Sequence, residues 1–67
     1  NKIHKFKDTI DILMNRFGKL IPVEELEKEL DGQLTQFEFD DILENLSKEG
    51  EIYTHKEGGR RYISKTG

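Results

Sequence analysis

Residues 34–64 constrain the fold of this chain more than any other stretch. Thr35 and Glu38 have the spacing of a capping box, in which a hydroxyl and a carboxylate each bind a backbone N–H at the start of a helix. Gly50 predicts the end of that helix after Lys48, because glycine readily adopts the left-handed conformation that stops a helix. Between these points, apolar side chains recur at i, i+3, i+4 and i+7, which predicts one buried stripe: Phe39, Ile42, Leu43 and Leu46.

Two short segments rich in strand-forming residues follow, at 51–55 and 60–64, on either side of Gly58-Gly59. Their composition and the glycine pair between them predict a β-hairpin. We expect His55 to pair with Arg60 across the two strands. In that register two further cross-strand pairs form, Ile52 with Ile63 on the face that closes the core and Tyr53 with Tyr62 on the outer face.

The first half of the chain predicts two helices and a short extended segment. Residues 1–17 fit a 3.6-residue period over four turns, and Gly18 ends them. Residues 19–21 are suited to add a third strand to the hairpin. Pro22 suits the start of a second helix, which Asp31-Gly32 closes. The predicted inner faces are Ile3, Phe6, Ile10, Leu13, Met14 and Phe17 on the first helix, and Val23, Leu26 and Leu30 on the second.

The predicted order of elements is α-β-α-α-β-β, which is the order of a winged helix-turn-helix. The predicted class is therefore α+β, with three helices and a two- to three-stranded antiparallel sheet around one core. The 67 residues make a single domain, and because the chain starts at Asn1 we expect a domain excised from the C-terminus of a larger protein. Cysteine is absent, and no apolar run approaches the roughly 18 residues that span a bilayer. We expect an intracellular, cytoplasmic and DNA-associated protein, archaeal or otherwise, with no membrane contact.

Charge is segregated along the chain. Residues 1–20 carry five Lys or Arg and two Asp, residues 21–51 carry two Lys and eleven acids, and residues 52–67 carry four Lys or Arg and one Glu. The acidic middle contains the third helix, which enters the major groove in the usual docking of this fold. Carboxylates in its first three turns are opposed by nothing until Lys48, so sequence-specific DNA reading by this helix is disfavoured.

Two interpretations of the acidic helix remain open. It is either a solvated face that keeps the domain soluble, or an acidic surface that docks a basic partner or another part of the same chain. Phe37 lies nearly opposite the apolar stripe; we favour packing of its ring against the second helix over an exposed anchor for a partner. The partner-docking candidates are Glu38, Asp41, Glu44 and Phe37.

The hairpin, or wing, carries basic and aromatic residues around its turn. Such a wing suits weak, salt-sensitive contact with a phosphate backbone, although this number of charges is also common on ordinary surfaces. Arg60 and Arg61 alternate between faces of a strand, so both cannot point at one ligand. The DNA-contact candidates are Lys56, Arg60, Arg61, Tyr62 and Lys65.

No arrangement of residues indicates catalysis. Asp40 and Asp41 point roughly 100° apart on a helix, so they do not make a catalytic carboxylate pair. His4 and His55 have no partners at metal-ligand spacing. We therefore expect no catalytic residues, no metal and no cofactor, and a domain that is not an enzyme by itself.

Residues 39–53 and 59–63 resemble the C-terminal winged helix of archaeal MCM (minichromosome maintenance) replicative helicases, and the resemblance extends from about Lys5 to Ser64. In that family the third helix ends in a Leu-x-x-x-Gly-x-Ile-aromatic pattern, and the wing closes on an aromatic and an aliphatic residue. The matching positions are Leu46, Gly50, Ile52, Tyr53, Tyr62 and Ile63.

The resemblance implies a regulatory accessory domain tethered after a hexameric ATP-driven motor. It implies contacts with other domains or subunits of the helicase, docking of replication loading factors and weak contact with DNA. Two other classes stay open: a transcription-regulator-type DNA-binding domain, which predicts dimers and half-sites, and a pure protein-interaction module.

Overall fold

The computed structural model describes residues 1–66 and has the predicted α+β winged-helix arrangement. The three β-strands are β1 (Ile21–Pro22), β2 (Ile52–Glu57) and β3 (Arg60–Lys65), and they form an antiparallel sheet in the order β1-β3-β2. None of the helices within residues 1–66 has the length and apolar character needed to cross a membrane. The elements are α1 (Lys2–Phe17), β1 (Ile21–Pro22), α2 (Val23–Leu30), α3 (Gln36–Lys48), β2 (Ile52–Glu57) and β3 (Arg60–Lys65).

Both ends of α3 are capped as the sequence predicts. The Glu38 backbone N–H donates to Thr35 Oγ1 at 3.1 Å, and the Thr35 backbone N–H donates to Glu38 Oε1 at 2.9 Å, which completes the capping box. At the other end, Gly50 has a φ of +76°. The Glu51 N–H donates to the Leu46 carbonyl at 3.0 Å, and the Gly50 N–H to the Ser47 carbonyl at 3.1 Å. This pair of bonds is a Schellman motif, so the chain turns sharply from α3 into β2.

The core lies between the three helices and one face of the sheet. The predicted inner faces of α2 and α3 are confirmed, because every apolar residue assigned to them is buried. The ring centroids of Phe6 and Phe39 lie 5.2 Å apart and join α1 to α3. The predicted stripe on α1 is too long: Ile3 is 47% and Phe17 39% exposed. These two residues lie in the end turns of a 16-residue helix, whose buried residues fall between them.

The third strand is confirmed, at Ile21–Pro22 and not at residues 19–21, with Ile21 opposite Ile63. The predicted hairpin register is wrong by two residues: His55 lies opposite Tyr62, and Tyr53 lies opposite Ser64. The tyrosines are therefore diagonal neighbours and not a direct pair.

The turn explains this register. Gly58 and Gly59 have φ values of +58° and +78°, which a two-residue type I′ turn requires, and they join Glu57 directly to Arg60. The strands therefore extend to the glycines and the ribbon is longer than predicted. A shift of two residues leaves each side chain on its own face, so Ile52 and Ile63 are still buried against the helices, as expected.

Candidate interaction surface

The wing divides its candidate DNA contacts between two faces. Lys56 lies directly opposite Arg61, and both share the face of Ile63, which is turned toward the helices. Arg60 and Tyr62 lie on the other face. Since the five predicted residues do not share one surface, the wing as a whole is not a single phosphate-binding patch.

Two of the four wing cations are engaged inside the domain. The Arg60 guanidinium pairs with Glu24 of α2, and this carboxylate raises the pKa of Arg60 further. Lys65 Nζ lies 2.9 Å from Asp11 Oδ1 of α1. Within residues 1–66, Lys56 and Arg61 take part in no ion pair. The positive charge that the wing offers to a ligand is therefore concentrated on this cross-strand pair.

A groove of about 440 Å³ separates α3 from the wing. In a winged helix that reads DNA, the third helix lies against base edges and needs favourable charge there. Here α3 contributes Asp40 and Glu44 to the groove, and Arg61 faces them from the wing. Lys48 Nζ lies 3.0 Å from Glu44 Oε1, so the charge of Lys48 is already paired. The full lining is Gln36, Asp40, Leu43, Glu44, Ser47, Lys48, Thr54 and Arg61.

The predicted docking carboxylates differ in their surroundings. Glu38 closes the capping box and also pairs with Lys2 of α1, so the expectation that nothing opposes this helix before Lys48 is wrong. The Lys2 ammonium and the Thr35 backbone N–H hold the pKa of Glu38 below its usual value. Asp41 accepts a hydrogen bond from Asn45 Nδ2 at 3.4 Å and takes part in no ion pair within residues 1–66. Asp41 is therefore the more accessible charge, and Glu38 belongs to the fold.

Phe37 does not pack against α2 as predicted. Its side chain is 80% exposed, more than any other large hydrophobic side chain among residues 1–66. It precedes Phe39 by two residues and so points roughly 160° away from that buried ring around the helix. The alternative interpretation, an exposed aromatic residue available to a partner, is the one that fits the structure.

Many of the charges that are segregated along the sequence form ion pairs with one another in the fold. Basic residues of the two ends reach acidic residues of the middle, and sequence reasoning missed these partners because 13 to 44 positions separate them. Complementary charge of the segments was the only available signal. The four pairs are Lys2–Glu38, Lys7–Glu51, Arg16–Glu29 and Arg60–Glu24.

Comparison with known proteins finds no matching family model, no matching curated protein and no matching solved structure. The fold by itself does not distinguish a winged helix that reads DNA from one that binds proteins, so the distinction must come from the surface residues of this chain.

Proposed function

We propose that this chain is a non-catalytic accessory winged-helix domain that regulates a DNA replication helicase through protein contacts. Its wing makes weak, sequence-independent contact with DNA. The observation that carries the proposal is the outward surface of α3. There Phe37 is exposed beside two carboxylates, Asp40 and Asp41, that form no ion pair within residues 1–66. The resemblance of residues 39–53 and 59–63 to the C-terminal winged helix of archaeal MCM helicases supports the link to replication.

The charge of α3 argues against insertion into a major groove. The helix has four carboxylates and a single lysine, and Lys48 is already paired with Glu44. Affinity for DNA comes largely from cations that replace counterions along the phosphates. Asp40 and Asp41 would instead approach the phosphates with their charges unpaired, so a protein surface suits this helix better than DNA does.

The wing supports only a small electrostatic contribution to DNA binding. Lys56 and Arg61 are the two cations that lie together without an ion-pair partner in the described chain. Each phosphate that they neutralise contributes a slope of about −0.9 to the dependence of log affinity on log salt concentration. Lys56 and Arg61 together therefore give a slope no steeper than about −2.

The test is an amide NMR titration of the chain with a short duplex and with a single strand, at low and then physiological salt. We expect shifts around Lys56 and Arg61 at low salt that fade as salt rises. The double variant Lys56→Gln/Arg61→Gln should abolish them. Its matched control, Arg60→Gln/Lys65→Gln, removes the same charge from paired residues and should retain most of the effect. Shifts along residues 36–48 that persist at physiological salt would instead identify a sequence-specific DNA reader.

The link to a helicase has a separate test. An archaeal MCM hexamer lacking its own C-terminal winged helix is fused to this chain, and its ATPase and unwinding rates are compared with those of the truncated motor. We expect the fused domain to change at least one of the two rates. Rates equal to those of the truncated motor would contradict the regulatory role.

A further inference from the structure

The exposed ring of Phe37 lies beside two carboxylates on the surface of α3. Asp40 and Asp41 follow it by three and four residues, which makes them its neighbours on the helix surface. Glu44 continues the same outward face one turn further on. Phe37 is 80% exposed. The result is an apolar anchor bordered by carboxylates, of which Glu44 is paired with Lys48, and it is here called the Phe37 surface: Phe37, Asp40, Asp41 and Glu44.

The fold does not require this arrangement. Phe37 lies outside the cluster of buried residues, and the capping box that starts α3 is made by Thr35 and Glu38. Neither the core nor the cap of α3 therefore depends on an aromatic residue at position 37. An exposed aromatic ring does not add to the solubility of a helix face, and aromatic residues are enriched at the centres of protein interfaces.

The carboxylates beside Phe37 remain available to a partner. Asp40 accepts a hydrogen bond from Gln36 Nε2 at 3.0 Å, and Asp41 accepts one from Asn45 Nδ2 at 3.4 Å. Both donors are neutral amides, so neither carboxylate is neutralised. No Lys or Arg within residues 1–66 forms an ion pair with Asp40 or Asp41.

We propose that the Phe37 surface binds a basic amphipathic segment of a partner protein. An apolar side chain of that segment packs on the Phe37 ring, and lysine or arginine residues beside it meet Asp40 and Asp41. The proposal rests on the protein-contact function proposed above and names the chemistry of the partner. Charge complementarity selects this occupant, because the same carboxylates repel a phosphate backbone and an acidic peptide.

The experiment measures fluorescence anisotropy of a labelled Leu/Lys peptide with its leucines at helical spacing, titrated with the 67-residue chain. A second peptide with glutamate in place of every lysine tests the sign of the charge. We expect saturable binding of the Leu/Lys peptide and none of the glutamate peptide. In an NMR titration with the Leu/Lys peptide, we expect amide shifts along residues 36–48. Phe37→Ala should weaken binding roughly tenfold, as expected for an interface anchor. Absence of saturable binding, or equal binding of both peptides, would overturn the proposal.

Matched variants separate this site from general attraction between opposite charges. Asp40→Asn/Asp41→Asn should weaken binding and reduce its salt dependence. Asp8→Asn/Glu57→Gln removes the same charge elsewhere and should bind like the unmodified chain. Tyr53→Ala, which removes a 59% exposed aromatic residue from the wing, should also bind normally.

Equal effects of the two acidic double variants would show that net charge alone attracts the peptide, which contradicts a defined site. If the Leu/Lys peptide does not bind and DNA causes no shifts in α3, only the proposal of a basic partner is refuted. The protein-contact function would then still stand. Salt-resistant DNA shifts along α3 would refute the protein-contact function itself.

Discussion

The Glu38 carboxylate links two parts of the fold. One of its oxygen atoms accepts the Thr35 backbone N–H, and its other oxygen pairs with Lys2 of α1. Both contacts favour the ionised carboxylate, so they hold the pKa of Glu38 below its usual value. Lys7 has the same effect on the pKa of Glu51, at the start of the wing.

Lowered pKa values of this kind predict acid-sensitive stability. A carboxyl group whose pKa is lower in the folded than in the unfolded state stabilises the fold above its unfolded pKa. That stabilisation is lost as the pH falls through the folded pKa. Glu38→Gln should therefore be less stable than the unmodified chain near neutral pH and equally stable at strongly acidic pH.

Urea denaturation over a range of pH measures this difference. Glu57→Gln is the control, since Glu57 is exposed and takes part in no ion pair within residues 1–66. A gap between Glu38→Gln and the unmodified chain that stays constant down to acidic pH would contradict a role for the ionised carboxylate.

The wing shows why periodicity does not determine strand register. Alternation of side chains has a period of two, so registers that differ by two residues bury the same faces. Ile52 and Ile63 face the core in the predicted register and in the observed one. Only the turn distinguishes the two registers, because Gly58 and Gly59 with positive φ close a two-residue loop that fixes Glu57 opposite Arg60.

Substitutions at Gly58 test that explanation. Apart from Gly58 itself and its two chain neighbours, no residue has an atom within 4 Å of a Cβ added there, so a destabilising effect arises from the local backbone conformation. Gly58→Val should cost about 1–2 kcal/mol, because a side chain disfavours positive φ. Gly58→Asn should be nearly neutral, since Asn-Gly suits a type I′ turn. Urea denaturation measures both, and cross-strand NOEs between Tyr53 and Ser64 check the register. Equal stability of the two variants would show that the turn does not require positive φ.

Helices were easier to predict than surfaces. The 3.6-residue period gives the inward direction of α2 and α3 from the sequence alone, and cap residues such as Thr35 and Gly50 define the limits of α3. That period also directs Phe37 away from the core, but what lies beside its ring depends on where α2 packs. Partners such as Lys65 and Asp11, 54 positions apart, meet only after the whole chain has folded.

Ion pairs connect the ends of the chain to one another and to its middle. Arg16 Nη1 lies 3.4 Å from Glu29 Oε1 and joins α1 to α2, and Lys65 Nζ lies 2.9 Å from Asp11 Oδ1 and joins β3 to α1. All four side chains are between 43% and 57% exposed, so water and salt screen these attractions. The domain therefore combines an apolar core, which ionic screening does not weaken, with outer ion pairs that salt does weaken.

These contacts predict that salt lowers the stability of the domain. The net charge of −3 is spread over a molecule with a radius of gyration of 10.9 Å, so the repulsion that salt relieves is weaker than the attraction at close ion pairs that salt screens. Arg16→Gln/Lys65→Gln should lower stability by about 1 kcal/mol at low salt, or about 5 °C in Tm, and should reduce the salt dependence. Thermal melts across a range of NaCl concentrations measure both effects.

Lys5→Gln/Lys19→Gln is the control: it removes the same charge from lysines without an ion-pair partner in the described chain, so its salt dependence should match that of the unmodified protein. Equal salt dependence for all three proteins would mean that overall charge, and not these ion pairs, governs the response.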